Sequence, residues 1–286
     1  MEINWDQVGR EAAELLAKLI RINTSNPPGN EVAACEFLKP LYAELGLNPV
    51  VLGPEASRQS IIGRIKAEKA EGEPLLLLSH LDVVPADARE WSCDPFAGEV
   101  RDGFVWGRGA LDCKNATAVE FTALKLFLQA GHKLKRDIIL AATADEETGG
   151  EQGMEWLIAN HFDLLKAGFG INEGGGFSVK VAGREVFVCQ TGEKGICWIK
   201  LTSKGYSGHA STPPAETAMT KMIAALFAVM QRRQPLRLTD TVRGLVDQIA
   251  AQFGPGARLA AKVARFVTPM IKSVKPSPRD LRSKSV

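Results

Sequence analysis

His80 and Asp82 stand two residues apart at the end of LLLLSHLDVVPAD, residues 75–87. The four leucines read as a fully buried strand, and on a strand residues i and i+2 point to one face. Both polar groups are costly to bury unless something pairs with them. An imidazole held by a metal ion, with a carboxylate behind it, explains the pair. A His and an Asp solvated at a loop mouth explain it too. Further acids also sit at strand ends: Asp112 in WGRGALDCK, Glu146 and Glu147 after IILAATAD, and Glu173 in INEGGG. Taken singly, Asp112 serves as a helix N-cap, the run 145–147 as a solvated turn and Glu173 as a loop acid. Gathered at one sheet edge, these carboxylates repel each other unless cations lie among them. A shell of imidazole and carboxylates suits zinc. One central carboxylate can bridge two ions about 3.5–4 Å apart.

The elements that must position these groups alternate. Helical periodicity runs over about 5–22, with Val8, Ala12, Leu15, Leu16 and Leu19 on one face, and again over 30–45. Strand-like runs follow at 48–52, 60–66 and 75–79. A helix begins after Asp112 and ends at Gly131. The strand 137–143 leads into DEETGG and a short helix at 151–160, and EVFVCQ (185–190) is a later strand. This order implies an α/β fold, a central mixed and mostly parallel sheet with helices on both faces. In such sheets ligands collect beyond the carboxyl ends of the strands. From about residue 195 the texture changes. ICWIKLTSKG reads as an alternating strand, an apolar helix covers about 216–232, and two helical stretches follow PLRLTD. Residues 1–194 and 195–286 are therefore expected as a first domain and a smaller α+β domain.

Composition excludes several classes. The chain of 286 residues is 45% hydrophobic and 24% charged with a formal net charge of +2, which gives no polyelectrolyte signal for nucleic acid. Its five cysteines include no Cys-x-x-Cys spacing, which fits a reducing cytoplasm better than a disulfide framework. The N-terminal residues do not form a signal peptide, and no apolar run approaches the ~20 residues that span a bilayer.

The sequence resembles the zinc aminoacylase and carboxypeptidase family that includes succinyl-diaminopimelate desuccinylase, acetylornithine deacetylase and carboxypeptidase G. The wording WGRGALD resembles that of the branch of carboxypeptidase S and the secreted N-acyl amino acid hydrolases. The resemblance rests on TSNPPGNE (24–31), SHLDVVP (79–85), WGRGALDCKN (106–115), ADEETGG (144–150), NEGG (172–175) and GHASTP (208–213), in the family's order. It implies two zinc ions, with cobalt as a possible substitute, and hydrolysis of an amide in an N-acyl amino acid or small peptide. His80 and Glu173 would hold one ion, Glu147 the second, and Asp112 would bridge both. Asp82 would orient His80, and Glu146 would be the general base. His209 would reach across a homodimer, formed through a lid and dimerisation domain, to a developing oxyanion. The peptide bond after the bridging Asp, cis in the family, is here Asp112–Cys113, where many members have Asp–Asp.

Rival readings remain. Gly107-x-Gly109 before a helix hints at a dinucleotide site, but the third glycine is missing and Asp112 would face the pyrophosphate. The scaffold could also serve binding or dimerisation without turnover. Residues 257–286 hold eight Lys/Arg against one Asp, with Leu259, Val263, Phe266, Val267 and Met270 on one face. That pattern fits a membrane-surface helix or a packed helix of the second domain. The family takes a further zinc-binding His from near its C-terminus. The only histidines here besides 80 and 209 are His132 and His161, both placed at helix ends. The expectation is a C-terminally truncated form that binds its second zinc weakly.

Overall fold

A computed structural model describes residues 3–174, 178–181, 183–192, 195, 197–209, 211–212, 214–232 and 238–259. The chain divides into two compact units, Met1–Gly174 and Gly175–Val286. The division falls ahead of the position expected near residue 195.

The first unit is a three-layer α/β structure. Helices α1 (Trp5–Ile20) and α2 (Glu31–Glu44) precede strands β1 (Val50–Leu52), β2 (Ser60–Ile65) and β3 (Leu75–His80). A small hairpin of β4 (Glu99–Arg101) and β5 (Phe104–Trp106) leads to α3 (Lys114–Gln129). Then come β6 (Ile138–Thr143), α4 (Met154–Leu165) and β7 (Phe169–Ile171). Asn4 begins α1 by accepting the Gln7 N–H at 3.1 Å, as an N-cap should. The five-stranded sheet has the order β1-β2-β6-β3-β7. The pairings β1–β2 and β2–β6 are antiparallel, whereas β3–β6 and β3–β7 are parallel. The sheet is thus mixed, and its parallel half is the half that ends in the candidate site residues.

Alternation along β6 explains why helices lie on both faces. Ile138, Leu140 and Ala142 point into a core made with α1, α2 and α3. Ile139 and Ala141 point into a second core with Leu157 and Leu165 of α4. Every residue of β6 is buried, as a central strand covered on both faces must be. The leucines of β3 correct the sequence reading: Leu75–Leu78 are half-buried, and only Ser79 and His80 are fully buried. Their outer neighbour β7 is three residues long, and its Phe169 and Ile171 are themselves exposed, so it covers the flank of β3 incompletely. The helix expected at 151–160 begins and ends later, at Met154–Leu165, with non-helical backbone at His161.

The second unit contains a hairpin of β8 (Ser178–Val181) and β9 (Arg184–Phe187) and helices α5 (Ala218–Gln231) and α6 (Asp240–Ala251). Thr217 and Thr220 form a capping box at the start of α5. Arg184 joins the hairpin to the end of α6, donating to the Gln252 carbonyl at 2.6 Å. The strand expected in ICWIKLTSKG does not form among its described residues, 197–205. Alternation makes a strand only where a ladder partner exists, and Trp198 and Ile199 stand exposed. The basic stretch from residue 260 onward lies outside the described residues. Among the described residues no helix is long and apolar enough to cross a membrane.

The core around β6 sets the stability of the first unit. Leu140→Ala, at a fully buried position, should destabilise the chain by about 2–5 kcal/mol. Denaturant unfolding followed by circular dichroism checks this; a loss below ~1 kcal/mol would mean that the site collapses around the cavity.

Candidate metal centre

Register brings the polar groups together. In the β3–β6 ladder His80 lies opposite Thr143, so the two strands end level and their following turns meet. On the other side β7 runs parallel to β3 and delivers Glu173 two residues past its end. Asp112 comes from the segment entering α3. The rival reading of Asp112 as a helix N-cap is not what the structure shows: Cys113 occupies the cap position without a side-chain bond.

These elements converge on His80 Nε2. Asp112 Oδ1 lies 3.1 Å away, Glu173 Oε2 3.2 Å and Glu146 Oε2 3.6 Å. The other ring nitrogen, Nδ1, lies 2.9 Å from the carbonyl oxygen of Asp82 and 3.4 Å from its carboxylate. A carbonyl only accepts, so Nδ1 carries the proton and Nε2 presents its lone pair to the carboxylates. That arrangement demands a cation, either a proton or a metal ion, at Nε2. Burial opposes a charged His80. The bonds to Asp82 and Cys113 and the negative charge around the ring outweigh it, and the imidazole pKa is pushed up to about 12.

The carboxylates record the same excess of negative charge. Burial, reinforced by the charge of Asp112, pushes Glu147 up to about 7. Burial also raises Glu146; His80 opposes this, and Glu173, Asp82 and Asp112 add to it. The donor set fits a divalent ion. His80, Asp112, Cys113 and Glu173 offer donor atoms within 4.8 Å of one another, and no other such group occurs among the described residues. Glu147 stands outside this cluster. The peptide bond Asp112–Cys113 is cis. The Cys113 thiol is buried against the His80 backbone, with Sγ accepting its N–H at 3.3 Å.

Several contacts that shape the site were not visible in the sequence reading. The Asp82 carboxylate, completely buried, accepts the backbone N–H groups of Glu146 and Glu147, both at 3.1 Å, and the Asn26 amide at 2.8 Å. It therefore aims the Glu pair as well as standing behind His80. Asp145 is not a solvated turn residue: it is buried and ion-paired to Arg58 at 2.7 Å. Lys114 is fully buried and donates to the Leu19 and Ile22 carbonyls at 3.0 and 2.7 Å, pinning the start of α3 to the end of α1. Its signal was the motif itself, LDCKN, in which a lysine follows a predicted ligand by two positions. Gly109, at φ +90°, leaves only 3.0 Å for a Cβ against Val83 and Lys114, so this glycine serves close packing. His132 packs at a tilt against Phe127, at a centroid distance of 5.1 Å, and His161 likewise against Trp156 at 5.0 Å. Neither belongs to the donor cluster. His209 is in the second unit, exposed, with Nδ1 2.7 Å from Ser211 Oγ.

The raised carboxyls make stability depend on pH. Glu147 at about 7, and Glu120 pushed to about 8 by burial, both lie above the ordinary glutamate value of 4.5. Folded chains then hold protons that unfolded chains release, so the contribution of these two groups is full below about 4.5 and is lost as pH rises through 7 to 8. The metal-free protein should melt at lower temperature at pH 8 than at pH 6. A divalent ion should flatten the profile by taking the proton's place at the Glu147 end. A thermal melt series with and without EDTA tests this; a metal-free melting temperature that rises with pH would contradict it.

Comparison with known proteins is consistent with this geometry. Residues 76–269 match the sequence profile of Peptidase family M20/M25/M40. An aminoacylase-1 of Sus scrofa is 31% identical over 79% of this chain and 56% of its own length. An N-fatty-acyl-amino acid synthase/hydrolase of Xenopus tropicalis is 29% identical over 79% of this chain and 46% of its own. The chain thus spans about half the length of the curated relatives it matches. The crystal structure of an M20 family metallo-carboxypeptidase from Sulfolobus solfataricus superposes with a TM-score of 0.51 at 24% identity. It covers 58% of this chain and 38% of that one, a likeness of fold. The chain belongs to Peptidase family M20/M25/M40.

Proposed function

We propose that the protein is a metal-dependent hydrolase that cleaves an amide of an N-acyl amino acid or small peptide. The observation that carries this reading is the convergence of three carboxylates on the free nitrogen of His80, within 3.1–3.6 Å. In our reading His80 and Glu173 would hold one zinc ion and Glu147 the second, with Asp112 as the ligand they would share. Such ions, when bound, lower the pKa of a water toward ~7 and polarise the scissile carbonyl.

The chain's own residues supply the proton transfers. Glu146 is half exposed at the mouth of the site, so its carboxylate can reach both substrate and water. A raised pKa makes it basic enough to take a proton from the attacking water and acidic enough to deliver it to the leaving amine. Asp82 orients His80 through its own carbonyl and orients Glu146 through the backbone N–H. His209, from the residues we assign to a lid and dimerisation domain beginning near 195, would donate to the oxyanion across a homodimer. The resemblance to the family and the match to an aminoacylase support this assignment. A cytoplasmic location follows the cysteine pattern.

A second reading has an observation of its own. His80 is the only imidazole in the donor cluster among the described residues, so this chain by itself would hold its second ion weakly and act chiefly as a binding or dimerisation scaffold. Metal content and turnover separate the two. Glu146→Gln should retain its metal yet lose on the order of 10²–10⁴ in kcat on an N-acyl amino acid panel. Asp112→Ala should lose metal from both positions, read as stoichiometry after dialysis. Parent-level turnover in the first variant would remove Glu146 from the mechanism. Undiminished stoichiometry in the second would remove the bridge. Metal bound by the parent chain with no hydrolysis of any panel member would favour the scaffold.

A further inference from the structure

Arg58 lies in the loop before β2, far in sequence from every candidate ligand, yet its side chain is only 6% exposed. Nη2 donates to Asp145 Oδ1 at 2.7 Å. Nη1 donates to Asn26 Oδ1 at 3.1 Å and to the Pro28 carbonyl at 2.8 Å. Nε stands 3.0 Å from Glu31 Oε2, an ion pair whose angle falls short of a hydrogen bond. One planar fork thus ties the segment 26–31 to the turn after β6. Only arginine presents so many donors in fixed directions.

Both routes from Arg58 lead to the Glu pair. The first is direct, because Asp145 immediately precedes Glu146. Asp145 has φ +69°, a left-handed conformation costly for a non-glycine residue. Surroundings must hold such a conformation in place. Here Arg58, Asn26 and Thr148 donate to one carboxylate oxygen and the Gln152 N–H to the other. The second route runs from Arg58 to Asn26, from Asn26 to the Asp82 carboxylate, and from there to the N–H groups of Glu146 and Glu147. Gly29 makes room for the fork. A Cβ there would lie 2.5 Å from Arg58 Cζ, and φ is +81°.

We propose that Arg58 is a positioning residue for the proposed reaction, which sets the Glu146–Glu147 turn by fixing Asp145 directly and Asp82 through Asn26. A buried ion pair is in itself weak evidence for stability, so the structural alternative is that Arg58 only neutralises Glu31. The two differ in what they predict for the folded protein. A neutralising role lowers the melting temperature and leaves metal affinity unchanged. A positioning role lowers metal affinity in the folded population.

The inference rests on the metal reading above, and Co²⁺ is the probe because its visible absorption reports binding without any turnover. Arg58→Met and Arg58→Lys, each shown to be folded by circular dichroism, are titrated with Co²⁺ beside the parent chain. The methionine variant should bind about 10–100-fold more weakly, as loss of an outer partner of a metal site does, with an altered visible band. The lysine variant keeps the charge but cannot reach four partners at once, so its affinity should also fall. A folded variant that binds Co²⁺ with the parent's affinity and band would overturn the proposal. So would unfolding of both variants, which would assign Arg58 to core stability. A parent chain that binds no Co²⁺ would instead sink the metal reading, and this inference with it.

Discussion

Asp112, Glu146, Glu147 and Glu173 bring four acidic groups to an edge where His80 can hold one proton. That charge imbalance is the constraint on which the rest of the site depends. In the absence of a metal it is met by protons: His80 keeps its own far into the alkaline range, and Glu147 gains one near neutrality. A divalent ion meets it more completely, because one ion offsets two charges and can sit between several oxygens. The fold's task is to keep the carboxylates from turning away from one another into solvent.

Sheet topology does the first part of this. Parallel pairing of β6, β3 and β7 puts three strand ends on one edge, so the chain after each strand leaves in the same direction. The second part is a buried polar layer beneath the edge. Asp82 joins the end of β3 to the turn after β6 by accepting two backbone N–H groups. Thr24 and Asn26 bind the segment after β3 from the other side, through the Leu81 carbonyl at 2.6 Å and the Val83 carbonyl at 2.9 Å. The bonds of this layer hold the two turns together, since breaking one leaves a buried group without a partner.

Much of the first unit was legible in the sequence. Periodicity located its main helices and sheet strands because each has a face buried in a core, and the strand-end acids were visible because strands and ligands have a fixed geometric relation. What escaped was long-range. Nothing near Arg58 announces that it will meet Asp145, 87 residues later. The motif TSNPPGNE was recognised, but its purpose is visible only once Asn26 and Glu31 lie beside partners from other segments. The strand expected in ICWIKLTSKG failed for a related reason: alternation reports a potential face, and the partner that would use it is not encoded locally. The leucines of β3 misled in the same way, since a run of four apolar residues does not specify how short its neighbour will be.

Burial divides the site's residues by task. His80 and Asp82 have side chains 3% and 0% exposed, whereas Asp112 and Glu146 are 65% and 51% exposed. The first pair cannot meet a substrate, and their hydrogen bonds leave them little freedom. The second pair faces solvent, where the proposed reaction needs a substrate and a water to arrive. Fixing an exposed carboxylate by its own contacts would block that access. Holding it by the backbone on which it stands does not, and the N–H of Glu146 is where Asp82 takes hold. Precision is therefore imposed from beneath the sheet edge while the exposed carboxylate oxygens stay open above it. This explains why a completely buried aspartate follows the histidine by two residues: on one strand end, it serves the imidazole with its carbonyl and the neighbouring turn with its carboxylate.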